Sequence, residues 1–440
     1  GYACALRAAE LGLTVALVEQ DKLGGTCLHR GCIPTKALLH VAEVADTARE
    51  GARFGVRSHV EAIDLPAVHA YKDAVVGRLH KGLQGLVTSH HVTYVEGCGR
   101  LSSPTTVLVG DRVLTGRHIV LATGSEPKLL PGLQVGGRIM TSDEALGLDT
   151  LPTSVIVLGG GVIGSEFASV FRSFGADVTI VEALPRLVAG EDAAVCNQLD
   201  RAFRKRGITS RTGVAFSGAT QTDETVTATL ADGTELTAEL LLVAVGRGPV
   251  TAGLGYQEAG VALESGFVPT DGRLRTNVPG VYAVGDLVPG PQLAHRGFAQ
   301  GVFIAEDIAG LDPVPVVDSG IPRVTYCDPE IASVGLTETE AREKFGQVQT
   351  YEYNLGGNGK SQILATQGFV KLVRAPEGPV VGVHMIGARM GEQVGEAQLI
   401  VGWDALPEDV AGFVHAHPTQ NEALGEAHLA LAGKPLHAHA

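Results

Sequence analysis

Two cysteines, Cys27 and Cys32, are separated by four residues in the segment GGTCLHRGCIPTKALLH, Gly24 to His40. Thiols this close suit dithiol/disulfide exchange, in which a thiolate attacks one sulfur and the other leaves as a thiolate. In a regular helix, residues five positions apart are displaced by about 7.5 Å along the axis, beyond the usual Cα separation of roughly 4.4–6.8 Å for a disulfide. A bridge therefore needs a distorted turn, which Gly31 can supply. Pro34 can begin or reset a helix carrying Ala37, Leu38, Val41 and Ala45. That sets Cys32 near a helix N-terminus, where thiolate is favoured over thiol. Lys36, four residues after Cys32, adds a positive charge one helical turn on. Two other readings stay open beside a redox pair: two unrelated buried cysteines, or two metal ligands with no second Cys/His cluster to complete the set.

The element best able to feed electrons to or from such a pair is a dinucleotide site, and the clearest signal in the chain is of that kind. Val155-Ile156-Val157-Leu158 has the pattern of a buried strand and runs into GGGVIG, Gly159 to Gly164. A helix pattern follows with Phe167, Ala168, Val170, Phe171 and Phe174, stopping at Gly175. Strand Val178–Val181 then ends on Glu182. The first glycine permits the tight turn, the second lets backbone approach a pyrophosphate, the third allows close helix–strand contact, and the helix N-terminus attracts the phosphate charge. Glu182 accepts from a ribose hydroxyl and repels a 2′-phosphate, which favours NAD over NADP, although Arg186 lies nearby.

The same unit occurs twice. Gly1 falls on Gly164, Ala5 on Ala168, Gly12 on Gly175, Val15 on Val178, Val18 on Val181 and Glu19 on Glu182, always at a spacing of 163. The first strand and first two glycines of this second fingerprint are therefore expected to precede Gly1. Two units suggest two dinucleotides, a flavin and a nicotinamide, with one dead copy of a duplicated fold as the alternative.

At 440 residues, 45% of them hydrophobic, the chain can bury several cores and should form two to four domains. A net charge of -14 argues against a general nucleic-acid or anionic-membrane surface. Charges, Gly and Pro interrupt every apolar stretch before the roughly 20 residues that a bilayer span requires. Cys4, Cys98, Cys196 and Cys327 stand alone and read as buried small hydrophobes, so the six cysteines do not make a secreted disulfide framework.

Together these motifs resemble the class I pyridine-nucleotide disulfide oxidoreductases, and within them the dihydrolipoyl dehydrogenases, whose redox segment is close to GGTCLNVGCIPSK. The resemblance runs along essentially the whole chain. It implies an α/β fold with two Rossmann-like dinucleotide-binding domains, for FAD and NAD, and a C-terminal α+β dimerisation domain. The implied division is 1–149 with 263–318 for FAD, 150–262 for NAD and 319–440 for the interface. Gly1, Glu19, Gly24, Gly25, Thr26, Lys36, Gly99, Thr123, Gly124, Ser125, Asp286, Ala294 and His295 match the flavin contacts, Asp286 at the ribitol. Gly159, Gly161, Val162, Ile163, Gly164, Glu182, Val214, Ala244, Gly246 and Arg247 match the NAD contacts.

Within HAHPTQNEALGEAHLALAGKP the family brings its catalytic base from the other subunit of a homodimer. His417 matches that base and Glu422 its carboxylate partner, while Glu166 matches the partner of Lys36 near the nicotinamide. Read without the family, Thr419-x-x-Glu422 is a capping box, Asp286 a turn residue and Glu166 a helix-surface acid. The implied activity is reoxidation of dihydrolipoyl groups through Cys27–Cys32 and FAD to NAD+. The implied partners are the lipoyl domains of 2-oxo acid dehydrogenase or glycine cleavage complexes, in a cytoplasmic setting and without nucleic acid, membrane or metal. Glutathione and mycothiol disulfide reductases are nearest rivals. Mercuric and large thioredoxin reductases carry extra C-terminal cysteines that are missing after Cys327, and a non-catalytic scaffold subunit would not need the intact reactive residues. His29-Arg30 departs from the common Asn-Val between the cysteines.

Overall fold

The spacing of 163 reappears as matched geometry in a computed structural model that describes residues 1–438. Helix Tyr2–Glu10 and helix Val162–Ser173 end at equivalent residues, and each is followed by a glycine at positive φ, Gly12 at 81° and Gly175 at 105°. The strands that follow, Ala16–Glu19 and Asp177–Glu182, both end on the acid. In each, one carboxylate oxygen accepts the backbone N–H two residues on: Asp21 to Glu19 at 3.0 Å, Leu184 to Glu182 at 2.8 Å.

Two units can be distinguished. The first comprises Gly1–Ala37, Pro66–Lys128 and Gly246–Asp318. Its core gathers Leu101, Leu121, Tyr256, Val281, Ala283, Leu287 and Phe303 around two short parallel pairings, Ala16–Glu19 with Thr93–Glu96 and Ile119–Leu121 with Val281–Ala283. A three-stranded antiparallel sheet, Gly99–Ser103, Thr106–Val109 and Arg112–Thr115, is added to it.

The second unit comprises Leu38–Leu65, Leu129–Val245 and Ser319–Ala440. It holds a five-stranded parallel sheet in the order Ile208–Thr212, Asp177–Glu182, Ser154–Leu158, Leu240–Val243, Ile139–Thr141. The central strands Ser154–Leu158 and Leu240–Val243 are buried through Val155–Leu158 and all of LLLV, because strands of a parallel sheet covered on both faces have no solvent side to reserve for polar residues. A five-stranded antiparallel sheet, Arg323–Thr325, Glu330–Gly335, Val380–Gly387, Phe369–Arg374 and Gln349–Asn354, carries the C-terminal helices.

A buried ionic cluster ties helix Ala193–Lys205 to the antiparallel sheet. Asp192 caps that helix through the N–H of Ala194 (2.9 Å) and accepts from Lys371 Nζ (2.8 Å), which also reaches Glu338 (2.8 Å). Burial works against charge at Asp192, but these donors hold its carboxyl below the usual range; Lys371 is raised despite its own burial by the two acids. Among the described residues, no helix is long and apolar enough to cross a membrane. Cys4, Cys196 and Cys327 are buried, as a small apolar side chain should be, but Cys98 is exposed. Cys98 lies in the connection between strands Thr93–Glu96 and Gly99–Ser103, next to the bend at Gly97 (φ 141°).

Candidate active site

Cys27 and Cys32 are joined in a disulfide with Cα atoms 4.6 Å apart. A continuous helix cannot bring them so close, and the chain does not make one. Helix Gly25–Arg30 stops at Gly31 and a second helix, Cys32–Glu50, starts at once. Gly31 takes φ −145°, ψ −114°, and a Cβ there would press on the Thr26 carbonyl at 3.2 Å and the Cys27 Cα at 3.4 Å. Any side chain there would need this neighbouring backbone to give by a few tenths of an ångström, so glycine suits the junction. Cys32 is the first residue of its helix and Pro34 sits in the first turn, where its missing N–H leaves no bond unmade. His29 Nε2 lies 2.8 Å from the carbonyl of Leu23, and its ring meets that of His80 edge-on, centroids 4.9 Å apart. Arg30 pairs with Asp21. The unusual residues between the cysteines are thus tied to their surroundings.

The residues matched to flavin contacts all lie in the first unit, as do both cysteines. Parallel pairing of Ile119–Leu121 with Val281–Ala283 brings two strand ends side by side, the arrangement at which α/β sheets bind ligands. Ser125 Oγ donates to Asp286 Oδ2 at 2.6 Å across them. Thr123 Oγ1 donates to the carbonyl of Val250 (2.6 Å) and meets the hydroxyl of Tyr256 (3.1 Å), whose ionisation burial pushes up to about 12. Gly99 lies against Val18, with a Cβ there only 3.2 Å from its Cγ1. Gly24 and Gly25 turn the chain at φ 117° and 67° into the helix bearing Thr26 and Cys27, and Ala294 and His295 open helix Ala294–Ile308. Closely approachable backbone, an acid at a strand end and a carboxylate beside a hydroxyl form a set that fits a flavin dinucleotide.

In the second unit, a Cβ on Gly159 would strike the carbonyl of Ala244, and one on Gly164 would strike that of Gly159. No other residue fits either position. Gly161 faces open space, and no side chain caps the helix Val162–Ser173 behind it. Glu182 is held at the turn by the N–H groups of Gly160 (2.7 Å) and Leu184 (2.8 Å). Val214 follows, its N–H 3.3 Å from the Glu182 carbonyl. A glycine turn open to an anion with an acid pinned beside it fits NAD. Glu166, on the same helix, is 2% exposed and accepts the N–H of Tyr326 at 3.0 Å, so it is not a helix-surface acid. Lys36 belongs to the first unit and Glu166 to the second. Gly246 and Arg247 also belong to the first, and Arg247 donates from Nε to Ser125 Oγ (2.8 Å).

His417 is 77% exposed, with Nδ1 2.8 Å from Glu422 Oε1. The other oxygen of Glu422 accepts the N–H of Thr419 at 2.7 Å. Glu422 thus makes one arm of the capping interaction and binds the histidine as well; Thr419 Oγ1 turns instead to the carbonyl of Ala416 (2.7 Å). Partial burial opposes ionisation of Glu422, but Thr419 and His417 hold its carboxyl below the usual range.

The chain matches the pyridine nucleotide-disulphide oxidoreductase description over residues 1–301 and the dimerisation domain of the same enzymes over 321–428. It is 39% identical over 458 residues to a dihydrolipoyl dehydrogenase of Bacillus subtilis, covering 99% of this chain and 97% of that protein. A dihydrolipoyl dehydrogenase of Zymomonas mobilis is 39% identical over 451 residues, with coverage of 99% and 97%. The crystal structure of LpdA from Mycobacterium tuberculosis superposes with a TM-score of 0.91 at 26% identity, covering 98% of this chain and 97% of that one. The chain belongs to the pyridine nucleotide-disulphide oxidoreductases.

In this member of the family, a second His–Glu pair that sequence reasoning missed lies two residues before His417. His415 Nε2 is 2.7 Å from Glu396 Oε1, and Asn421 donates to Glu396 Oε2 at 2.7 Å. The ring lies over Gly425, where a Cβ would come 2.5 Å from Nδ1. The bond to Glu396 raises the His415 pKa above its usual value, and half-buried Glu396 is lowered by His415 and Asn421. The partners stand nineteen positions apart, so no local pattern announces them. Buried Gln300 was likewise missed: it accepts the N–H of Gly285 at 2.9 Å and fixes the turn that carries Asp286.

Proposed function

We propose that this protein is a dihydrolipoyl dehydrogenase, a homodimer that reoxidises the dihydrolipoyl groups of 2-oxo acid dehydrogenase or glycine cleavage complexes in the cytoplasm. The observation that carries the reading is the Cys27–Cys32 disulfide at the start of helix Cys32–Glu50, in a chain similar to dihydrolipoyl dehydrogenases from end to end. The flavin is assigned to the first unit, Gly1–Ala37 with Pro66–Lys128 and Gly246–Asp318, the nicotinamide to the parallel sheet and glycine turn of the second, and the interface to 319–440. Gly24, Gly25, Ser125 and Asp286 of the first unit would hold FAD, which when bound would supply a two-electron carrier between the reduced cysteines and NAD+.

In the protein's own part of the reaction, His417 of one subunit, its Nδ1 side held by Glu422, removes the proton from a dihydrolipoyl thiol presented to the other subunit. The substrate thiolate attacks Sγ of Cys27, the Cys27–Cys32 bond breaks, and Cys32 leaves as a thiolate. The N-terminal N–H groups of helix Cys32–Glu50 stabilise that charge. The second substrate thiol, deprotonated in turn, displaces Cys27 from the mixed disulfide, which releases the lipoyl disulfide and leaves both cysteines reduced. Glu182, pinned at the NAD turn, accepts from the ribose and opposes a 2′-phosphate.

Steady-state reduction of NAD+ by dihydrolipoamide tests the reading against reduction of glutathione disulfide by NADPH. Turnover in the first assay and none in the second is the expected result. The reverse would replace it with a glutathione-reductase-like activity.

A further inference from the structure

Three side chains in the first unit form hydrogen bonds whose direction is dictated by their chemistry. Arg247 has no acceptor atom, so its Nε–H donates to Ser125 Oγ (2.8 Å). The single hydroxyl proton of Ser125 is then available to Asp286 Oδ2 (2.6 Å) and goes there. A terminal nitrogen of Arg247 also donates to the Ser125 carbonyl (2.6 Å), so the fork grips both the main chain and the side chain of one residue. Ser125 is 7% exposed, and its strand, Ser125–Pro127, pairs antiparallel with Arg247–Pro249. The relay is therefore mounted on paired backbone on one side and, through Gly285 and Gln300, on helix Ala294–Ile308 on the other. It occupies one oxygen of Asp286.

Resemblance placed Arg247 among the nicotinamide contacts. We propose instead that Arg247 is a positioning residue for the flavin, acting through Ser125 to aim the Asp286 carboxylate so that its second oxygen accepts from a ribitol hydroxyl. The inference rests on FAD occupying the first unit.

The test is a double-mutant cycle on the whole protein, with Arg247→Met, Ser125→Ala and both together. FAD is stripped with chaotropic salt, and its Kd on return is read from quenching of flavin fluorescence. Each single change removes one charge-assisted or directly linked hydrogen bond and should weaken FAD about tenfold or more. The double variant should bind within about twofold of the weaker single, because both cut the same chain. Arg247→Lys, which keeps the charge and loses the fork, should not restore affinity. The KM for NADH, measured at saturating FAD, should stay within about twofold of the parent.

A raised KM for NADH with unchanged FAD affinity would return Arg247 to the nicotinamide and overturn the proposal. So would losses that multiply in the double variant, which would show that Arg247 does not act through Ser125. If FAD-free Arg247→Met unfolds, Ser125→Ala alone carries the test, and unchanged FAD affinity there refutes the relay. Failure of the parent protein to bind FAD would refute the flavoprotein reading itself, which is a separate outcome.

Discussion

Replacing His417 separates the two halves of the reaction. Dithiol oxidation needs a base for the attacking thiol, and a positioned base contributes about 100- to 10,000-fold; oxidation of NADH by ferricyanide asks for no proton at that place. His417→Ala should therefore lower dihydrolipoamide turnover by at least about 100-fold and leave the ferricyanide rate within about twofold. Glu422→Gln has a calculable effect. Glu422 accepts from two donors, His417 Nδ1–H at 2.8 Å and Thr419 N–H at 2.7 Å, one on each oxygen. A glutamine offers one oxygen and one NH2, so one donor must lose its partner. Loss of a charge-assisted hydrogen bond, about 1.5–3 kcal/mol, corresponds to about 10- to 150-fold in rate if it falls on His417. Stopped-flow reduction by dihydrolipoamide, ferricyanide kinetics and thermal midpoints on both variants decide the matter. A folded, flavin-loaded dimer of His417→Ala that oxidises dihydrolipoamide at the parent rate would refute the reasoning. If Glu422→Gln lowers the midpoint and spares the rate, Glu422 is a cap and no more.

Three further outcomes follow from the geometry. NADH should exceed NADPH in kcat/KM by about 100-fold or more because Glu182 is held at the turn by two backbone N–H groups, and steady-state kinetics with both nucleotides check it. Lys371→Met should cost about 3–5 kcal/mol by leaving Asp192 buried without its cation, seen as a lower thermal midpoint partly recovered in Lys371→Met/Asp192→Asn. The His415–Glu396 pair should make stability depend on pH. His415 is raised above its unfolded 6.5, so its contribution is full below about that pH and is lost as pH rises through the folded value; lowered Glu396 contributes above its unfolded 4.5 and fades as pH falls through its folded value. The midpoint lost in His415→Ala should therefore be larger at pH 6 than at pH 9, and equal losses at both would show that the pair is not ionic.

What could be read from sequence was whatever a local pattern encodes. Gly159, Gly164 and Glu182 are dictated by backbone approach and strand ends, so a single βαβ unit announces itself and a copy 163 residues away confirms its register. Gly31 between the cysteines could be argued from helix geometry alone. Groups whose meaning depends on residues distant in the chain were not legible. Glu166 looked like surface because the N–H of Tyr326, 160 positions away, was invisible. The partners Glu396 and His415 have no common motif, and Arg247 meets Ser125 only because two strand segments 122 positions apart pair. Cys98 was misjudged because burial was inferred from residue type without the turn at Gly97.

The account stands on electrons passing through one disulfide, and that passage can be followed in the thiols themselves. The protein is mixed anaerobically with dihydrolipoamide, alkylated and mapped by mass spectrometry, with a second sample given excess NAD+ before alkylation. The account predicts label on Cys27 and Cys32 after dihydrolipoamide and its disappearance after NAD+, as the disulfide closes again. Label confined to other cysteines, or an intact Cys27–Cys32 bond while NAD+ is being reduced, would contradict it.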